Sequence, residues 1–162
     1  LYGDDVIVSD TPATGELIGV YEKYGKSVVG IKPVATELLP SYCTLGVKPV
    51  EGKIYDVFDM IEKPKPSEII SNFAILGRCV LTPDIFDLIE HTPPSRNGEI
   101  QLTDAMREIA HRGGMMGIEY TGTRYDMGNK LGILQAIVEV GLEHPEIGDA
   151  FREYLKSMAP TL

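Results

Sequence analysis

An acidic and a basic residue, Glu62 and Lys63, stand side by side at the end of an apolar segment, in the stretch DMIEKPKP at 59–66. Alternating apolar residues predict a strand up to Ile61, and Pro64 ends it because proline has no amide hydrogen to give to a sheet. A solvated strand end is the ordinary explanation for such a pair. The functional alternative is a ligand site, since strand ends in α/β sheets line ligand crevices.

Two further acidic positions could contribute to a metal site. Asp4 and Asp5 follow Gly3 at the edge of a strand, where an Asx turn is the structural explanation and an oxygen ligand for Mg²⁺ the functional one. Asp126 precedes a helix, whose N-terminus favours bound anions. Its alternative roles are solvent exposure or an ion pair with Arg124.

Most polar residues around the start of a predicted helix at 102–112 are explained by capping. Thr103 or Asp104 can cap that helix, which leaves Glu99 as a carboxylate able to accept hydrogen bonds from sugar hydroxyls. The three histidines lie at predicted helix ends, where interaction with the helix dipole is their expected role. The sequence contains no nucleophile elbow, P-loop or GxGxxG motif.

Composition limits the class of partner. The 162 residues carry a formal net charge of −9 without a lysine and arginine cluster, so we expect no nucleic-acid partner. A divalent cation would have to mediate binding of an anionic phosphate compound. We expect a cytoplasmic protein with no membrane partner, because there is no signal peptide and no long apolar run. Cys43 and Cys79 lack zinc spacing and are predicted to be buried free thiols.

Strand and helix patterns interleave along the chain, which predicts an α/β architecture with a mixed sheet. The predicted strands are 6–8, 27–33, 43–50, 54–61, 72–81 and 115–120. The predicted helices are 14–24, 83–91, 102–112, 129–144 and 146–158.

Several of these elements carry more specific predictions. The strands 43–50 and 54–61 should form a hairpin, and Thr82 should cap the helix 83–91. Core spacing in the helix 129–144 predicts burial of Leu131, Leu134, Val138 and Gly141. The last segment, 146–162, is predicted to be a peripheral helix on the surface or against another subunit.

Five motifs occur in a fixed order: GDD at 3–5, EKP at 62–64, SNFAILGRCVLTPDIFDLI at 71–89, GEIQLTDA at 98–105 and YDMGNKLGILQA at 125–136. Together they resemble the C-terminal two-thirds of a bacterial UTP–glucose-1-phosphate uridylyltransferase, of the sugar-nucleotidyltransferase superfamily. The resemblance implies a Rossmann-like α/β fold with a mixed, mostly parallel sheet flanked by helices. Residues 1–162 would be the C-terminal portion of one catalytic domain, without its N-terminal part.

The resemblance also implies a reaction, in which UTP and glucose 1-phosphate give UDP-glucose and pyrophosphate with Mg²⁺. By position, Asp4 and Asp126 match the metal-binding acids, Glu62 the residue that binds sugar hydroxyls, and Lys63 the residue that binds the sugar's phosphate. Lys63, Asp4 and Asp126 would be the catalytic residues. We expect Asp4 and Asp126 to approach one Mg²⁺, with Asp5 pointing elsewhere and contributing less.

The sequence departs from the family pattern in three places. The Gly-rich signature G-x-G-T-R-x-x-P and its nearby lysine, which hold the nucleotide's phosphates, are absent. Cys43 occupies a sugar-binding position where the family usually has glycine, and Met127 replaces a common cysteine. The chain alone is therefore expected to be inactive, and to associate with another chain or form a homo-oligomer.

Two other functions remain open at this stage. A noncatalytic sugar-nucleotide-binding module would lack the nucleotide half naturally, and a thymidylyltransferase would share the superfamily's fold. The retained EKP motif, the two aspartates and GEIQLTDA favour the enzyme over the binding module. The sequence around 72–86 favours the uridylyl over the thymidylyl branch.

Overall fold

The computed structural model describes residues 1–95 and 98–161. The strands are β1 Asp5–Val8, β2 Ser27–Pro33, β3 Cys43–Glu51, β4 Ile54–Glu62, β5 Phe73–Val80, β6 Met115–Glu119 and β7 Thr123–Asp126. The α-helices are α1 Ala13–Tyr24, α2 Ile85–His91, α3 Leu102–His111, α4 Lys130–Glu143 and α5 Gly148–Met158. None of these helices is long and apolar enough to cross a lipid bilayer.

Five strands form a closed sheet in the order β2-β5-β3-β4-β6, and β1 pairs with β7 in a separate two-stranded ribbon. The α/β class and the mixed sheet are confirmed. Among the described residues, the β2–β6 pairing is parallel and the other pairings are antiparallel. A mostly parallel sheet is therefore not confirmed for this part of the protein, because the β3–β4 hairpin enters the sheet as an antiparallel unit.

The hairpin predicted from 43–50 and 54–61 is confirmed. β3 and β4 pair so that Cys43 lies opposite Glu62, and Gly52 takes a positive φ of 52° at the turn. This register puts the end of β4 beside the start of β3. The EKP motif therefore leaves the sheet next to Tyr42.

The main hydrophobic core lies between the closed sheet and α3. Val29 and Ile31 of β2 are fully buried and share one cluster with Leu45, Val57 and Met60 of the hairpin. Helix α3 packs against β4 and covers the cluster with an apolar face. The buried residues of that face are Ala105, Met106, Ile109 and Ala110.

The predicted caps of two helices are wrong. Helix α2 begins without a side-chain cap, because Thr82 lies 2.8 Å from the Ser27 hydroxyl and satisfies that buried group. Helix α3 also lacks a side-chain cap and follows Gln101, so neither Thr103 nor Asp104 caps it. Asn129 does cap α4, with Oδ1 accepting from the amides that follow.

Helix α4 is less buried than its apolar spacing predicts. Leu131 and Leu134 are 62% and 60% exposed, so the prediction that they lie in the core is wrong. In this part of the protein α4 packs mainly against β7 and α5, and these two elements cover only a narrow side of it. Gly141 does lie at a contact, since a Cβ there would stand 3.0 Å from the Phe151 ring.

Replacement of Gly77 tests how the ribbon joins the closed sheet. Gly77 in β5 has a φ of +80°, and a Cβ there would stand 2.6 Å from Asp5 Cβ. We expect Gly77→Ala to lower the free energy of unfolding by about 3 kcal/mol, from backbone strain and overpacking together. Urea unfolding measures the loss.

The matched control is Gly52→Ala. Gly52 also has a positive φ, of +52°, but a Cβ there would meet no atom within 4 Å. This variant should lose about 1 kcal/mol, the cost of the backbone conformation alone. Equal losses in the two variants would contradict the packing of Asp5 against Gly77.

Candidate active site

Two adjoining cavities contain most of the candidate residues. The first, of about 360 Å³, is lined by Glu62 and Lys63 among others. The second, of about 350 Å³, is lined by Asp4 and Asp126 among others. Glu62 and Gln101 line both cavities, so a single groove contains the EKP motif and both aspartates.

The backbone at Lys63 explains how Glu62 and Lys63 reach the same cavity. Consecutive side chains of a strand point to opposite faces, but Lys63 has a φ of 44°, the one positive value among the described non-glycine residues. A residue before proline is normally extended, so this conformation costs about 1–3 kcal/mol. The Lys63 amide donates to Tyr42 O at 2.9 Å, which holds the turn.

Glu62 is half-buried beside the start of α3. Burial raises the pKa of its carboxyl group, the adjacent Thr103 side chain and the Lys63 charge lower it, and Asp104 raises it. The residues predicted to cap α3 therefore lie around Glu62 instead. Glu62 also lines both cavities.

Glu99 and Cys43 lie in different surroundings. Glu99 is exposed, its Oε2 accepts from Gln101 Nε2 at 2.9 Å, and it lines neither cavity. From this motif the groove is lined by Gln101, Leu102, Thr103 and Asp104, and Gln101, which is not among the predicted site residues, lines both cavities. Cys43 lines the second cavity, but its thiol is a buried part of the main core cluster, and burial raises its pKa.

The carboxylates of Asp4 and Asp126 converge beside Gly128. A Cβ on Gly128 would stand 3.2 Å from Asp126 Oδ1 and 3.5 Å from Asp4 Oδ2. The distance between these two carboxylate oxygens therefore cannot exceed the sum of the two values. The Met127 amide donates to Asp4 O at 2.7 Å and links the two segments.

The two carboxylates near Gly128 are oxygen donors of the kind that a small hard cation uses when it has few protein ligands. No group of three or more His, Cys, Asp or Glu side chains that could hold a metal ion occurs in residues 1–95 and 98–161. Mg²⁺ is commonly bound through one or two carboxylates together with substrate phosphates. Asp4 and Asp126 suit that type of site.

Asp5 and Arg124 form an ion pair beside these carboxylates. Asp5 is buried, its Oδ1 accepts from Arg124 Nε, and it lines the same cavity as Asp4 and Asp126. Arg124 Nη2 also lies 3.5 Å from Asp126 Oδ2, and Tyr42 donates its hydroxyl to the same Oδ2 at 3.0 Å. Asp126 thus uses Oδ2 for its ion pair with Arg124, while its Oδ1 lies on the side of Asp4.

A third group of charges lies under the first cavity. Arg107 donates to both carboxylate oxygens of Asp59, at 2.7 and 3.3 Å, and His111 Nε2 lies 2.9 Å from Asp59 Oδ1. His111 is in the last turn of α3, as predicted, but its partner is a side chain of β4. Arg107 lines the first cavity, so the Asp59 carboxylate offsets the charge of Arg107 there.

Glu62→Gln tests the electrostatics of the groove. Because burial raises the pKa of Glu62 in the folded protein, the ionised form costs folding free energy at neutral pH. As the pH falls through the folded-state value, the carboxyl binds a proton and the cost disappears. We therefore expect Glu62→Gln to melt at a higher temperature than the wild type at pH 7, with a difference that shrinks on acidification.

Melting curves at several pH values check this result. Glu22→Gln, at an exposed position of α1, removes the same charge outside the groove and should leave the melting temperature unchanged. A variant Glu62→Gln that is less stable than the wild type at pH 7 would show that the charged carboxylate stabilises the fold.

Comparisons with known proteins add to this geometry. No family model matches the chain. The UTP–glucose-1-phosphate uridylyltransferase YngB of Bacillus subtilis is 39% identical over 158 residues, which cover 98% of this chain and 53% of that protein. The chain spans about half the length of the curated relatives it matches, a smaller share than the expected two-thirds.

Solved structures show the same similarity. A UDP-glucose pyrophosphorylase complexed with UDP-glucose has a TM-score of 0.82 at 36% identity, covering 87% of this chain and 54% of that one. The UDP-glucose pyrophosphorylase of Acinetobacter baumanii has a TM-score of 0.83 at 29% identity, covering 96% and 54%. By sequence and by fold, the chain is related to the UTP–glucose-1-phosphate uridylyltransferases and corresponds to about half of such a protein.

Proposed function

We propose that this chain supplies the sugar-phosphate and metal sites of an enzyme that makes UDP-glucose and pyrophosphate from UTP and glucose 1-phosphate. The observation that carries the proposal is the left-handed turn at Lys63, which brings Glu62 and Lys63 into one cavity. An acceptor for hydroxyls and a cation for a phosphate then lie together. Relatives and structural neighbours named for UDP-glucose chemistry support it.

The proposed residues bind and position the sugar phosphate. Glu62 accepts hydrogen bonds from sugar hydroxyls, and Lys63 neutralises the phosphate as a point charge. An oxygen of that phosphate forms a bond to the α-phosphorus of UTP, and the bond from this phosphorus to pyrophosphate breaks. Such a displacement needs positioning and charge stabilisation and no protein nucleophile, in agreement with a sequence without a nucleophile elbow.

Asp4 and Asp126 would hold Mg²⁺ through the two oxygens that converge beside Gly128, with substrate phosphates as further ligands. Bound there, Mg²⁺ would supply positive charge to the phosphates. For a chain with a net charge of −9, a divalent cation is the natural mediator for anionic substrates. Cys43 and Glu99 remain proposed sugar contacts, Cys43 through its backbone opposite Glu62.

The finer features of the fold and assembly belong to the same proposal. The complete protein would have a Rossmann-like, mostly parallel sheet in one catalytic domain. Residues 1–162 would contribute to that domain, with 146–162 at its periphery. The protein would be cytoplasmic. A homo-oligomer, or association with further polypeptide, is supported by exposed apolar residues on β1 and α4. These are Val6, Val8, Leu131, Leu134, Ile137 and Val140.

The alternative functions have weaker support. A noncatalytic sugar-nucleotide-binding module needs Glu62 and Lys63 but has no use for two carboxylates that converge beside Gly128. A thymidylyltransferase would use the same groove, yet the curated relatives at 39% identity carry uridylyltransferase names. We therefore propose the uridylyl reaction.

Lys63→Ala tests the sugar-phosphate site. A hydrogen bond to a charged group contributes roughly 1.5–3 kcal/mol, so kcat/KM for glucose 1-phosphate in the complete enzyme should fall about ten- to a hundred-fold. Steady-state kinetics measure the loss. Lys65→Ala is the matched control, because Lys65 is also exposed but lines neither cavity. Wild-type kinetics for Lys63→Ala would contradict the phosphate-binding role and favour the ordinary explanation, in which Glu62 and Lys63 are a solvated strand end.

The isolated polypeptide 1–162 tests whether UTP binding requires a part of the enzyme other than these residues. We expect it to release no pyrophosphate from UTP, glucose 1-phosphate and Mg²⁺, because the Gly-rich signature that holds the triphosphate is absent from its sequence. The complete enzyme in the same assay is the positive control. Turnover by residues 1–162 would mean that the groove itself also binds UTP.

A further inference from the structure

Tyr42 touches both functional parts of the groove. Its backbone oxygen accepts from the Lys63 amide at 2.9 Å, and its hydroxyl donates to Asp126 Oδ2 at 3.0 Å. The Tyr42 amide donates to Leu39 O at 3.0 Å, and Leu39 is fully buried. The residue that connects Lys63 with Asp126 is therefore itself attached to the core.

Arg124 fixes the direction of the Tyr42 hydroxyl. Arg124 Nη1 donates to that hydroxyl at 3.3 Å, and its guanidinium carbon lies 5.2 Å from the centre of the Tyr42 ring. Because arginine can only donate, the hydroxyl accepts from Arg124 and has its own proton left for Asp126. The ion pair with Asp5 holds Arg124 in this arrangement.

These contacts decide which oxygen of Asp126 faces Asp4. Oδ2 is occupied by the Tyr42 hydroxyl and lies next to Arg124. Oδ1 accepts from the Gly128 amide at 3.0 Å and lies beside the same open space as Asp4 Oδ2. Without the hydroxyl, Asp126 could rotate towards Arg124, and the arginine would compete with a cation for the carboxylate.

We infer that Tyr42 is a positioning residue that orients Asp126 for the cation and ties it to the phosphate-binding turn at Lys63. This inference rests on the proposed function. Tyr42 contributes its backbone to one side of the groove and its hydroxyl to the other. The two sides can therefore be separated by removing the hydroxyl alone.

Tyr42→Phe in the complete enzyme is the test. The variant keeps the ring, its packing against the Arg124 guanidinium and the backbone bond to Lys63. It loses the donor to Asp126 and, with it, the acceptor for Arg124 Nη1. Binding of Mn²⁺ in the presence of UDP-glucose, followed by the electron paramagnetic resonance signal of free Mn²⁺, should weaken about tenfold. The Mg²⁺ concentration for half-maximal rate should rise similarly, while kcat and the KM for glucose 1-phosphate recover at saturating Mg²⁺.

Tyr125→Phe is the matched control. Tyr125 also donates its hydroxyl to a carboxylate, Glu139 Oε2 at 2.6 Å, but that carboxylate belongs to α4 and lines neither cavity. This variant should bind Mn²⁺ like the wild type. Equal weakening in both variants, or a loss in Tyr42→Phe that saturating Mg²⁺ does not restore, would overturn the positioning role.

The remaining outcomes separate the inference from the proposed function. An active wild type whose Mn²⁺ affinity is unchanged by Tyr42→Phe overturns the inference and leaves the proposed function intact. A wild type that forms UDP-glucose but binds no Mn²⁺ overturns the metal site and this inference with it. A wild type that binds Mn²⁺ but forms no UDP-glucose contradicts the proposed function, and the Mn²⁺ affinities then still decide whether Tyr42 orients Asp126.

Discussion

The buried ion pair between Asp5 and Arg124 is the contact on which the arrangement of the groove depends. Asp5 belongs to the ribbon, and its backbone oxygen also accepts from Arg78 Nη2 at 3.0 Å, which joins the ribbon to β5. Removing one partner of a buried ion pair leaves an uncompensated charge and typically costs about 3–5 kcal/mol. The expectation that Asp5 contributes less than Asp4 therefore applies to metal binding and not to the structure.

The same ion pair determines how much negative charge on Asp4 and Asp126 is left uncompensated by Arg124. Arg124 lies between Asp5 and Asp126, and an arginine without Asp5 would neutralise the carboxylate that faces Asp4. Because Asp5 already compensates Arg124, less of the arginine's positive charge is left to offset the carboxylates of Asp4 and Asp126 beside Gly128. At the other side of the groove, Asp59 compensates Arg107, while Lys63 is exposed and near Glu62. The groove thus has a negative side and a side of mixed charge, as the proposed binding of a cation and a sugar phosphate requires.

Local patterns in the sequence predict the elements well where burial is continuous. Strand β2 is found at the predicted residues, because its apolar run is buried on both faces, and the hairpin follows from two strands with a glycine between them. Strand β7 is not predicted, because its four residues are mostly polar and pair with a strand over a hundred residues earlier. Leu131 and Leu134 are predicted to be buried but are exposed. An apolar stripe indicates that a helix face is suited to burial, but it does not identify which element covers that face.

The site could be predicted only in part for similar reasons. Residue types and order selected Glu62, Lys63, Asp4 and Asp126, which the fold brings to one groove. Alternation puts Glu62 and Lys63 on opposite faces, and no sequence pattern signals a positive φ at a lysine before proline. The hydroxyl of Tyr42 and the pairing of Arg124 with Asp5 depend on contacts between distant segments. Such contacts are set by tertiary structure and not by local propensity.

The departure from the family at Cys43 can be judged from the same geometry. A side chain in place of glycine would obstruct a sugar if it pointed into the groove. The Cys43 side chain instead joins the core cluster with Leu45 and Met60, and its thiol is directed at Thr44 O, 3.7 Å away. The groove therefore keeps access to the backbone opposite Glu62, and the extra sulfur atom is accommodated by the core beneath it. The substitution changes packing under the site more than the surface that a sugar would meet.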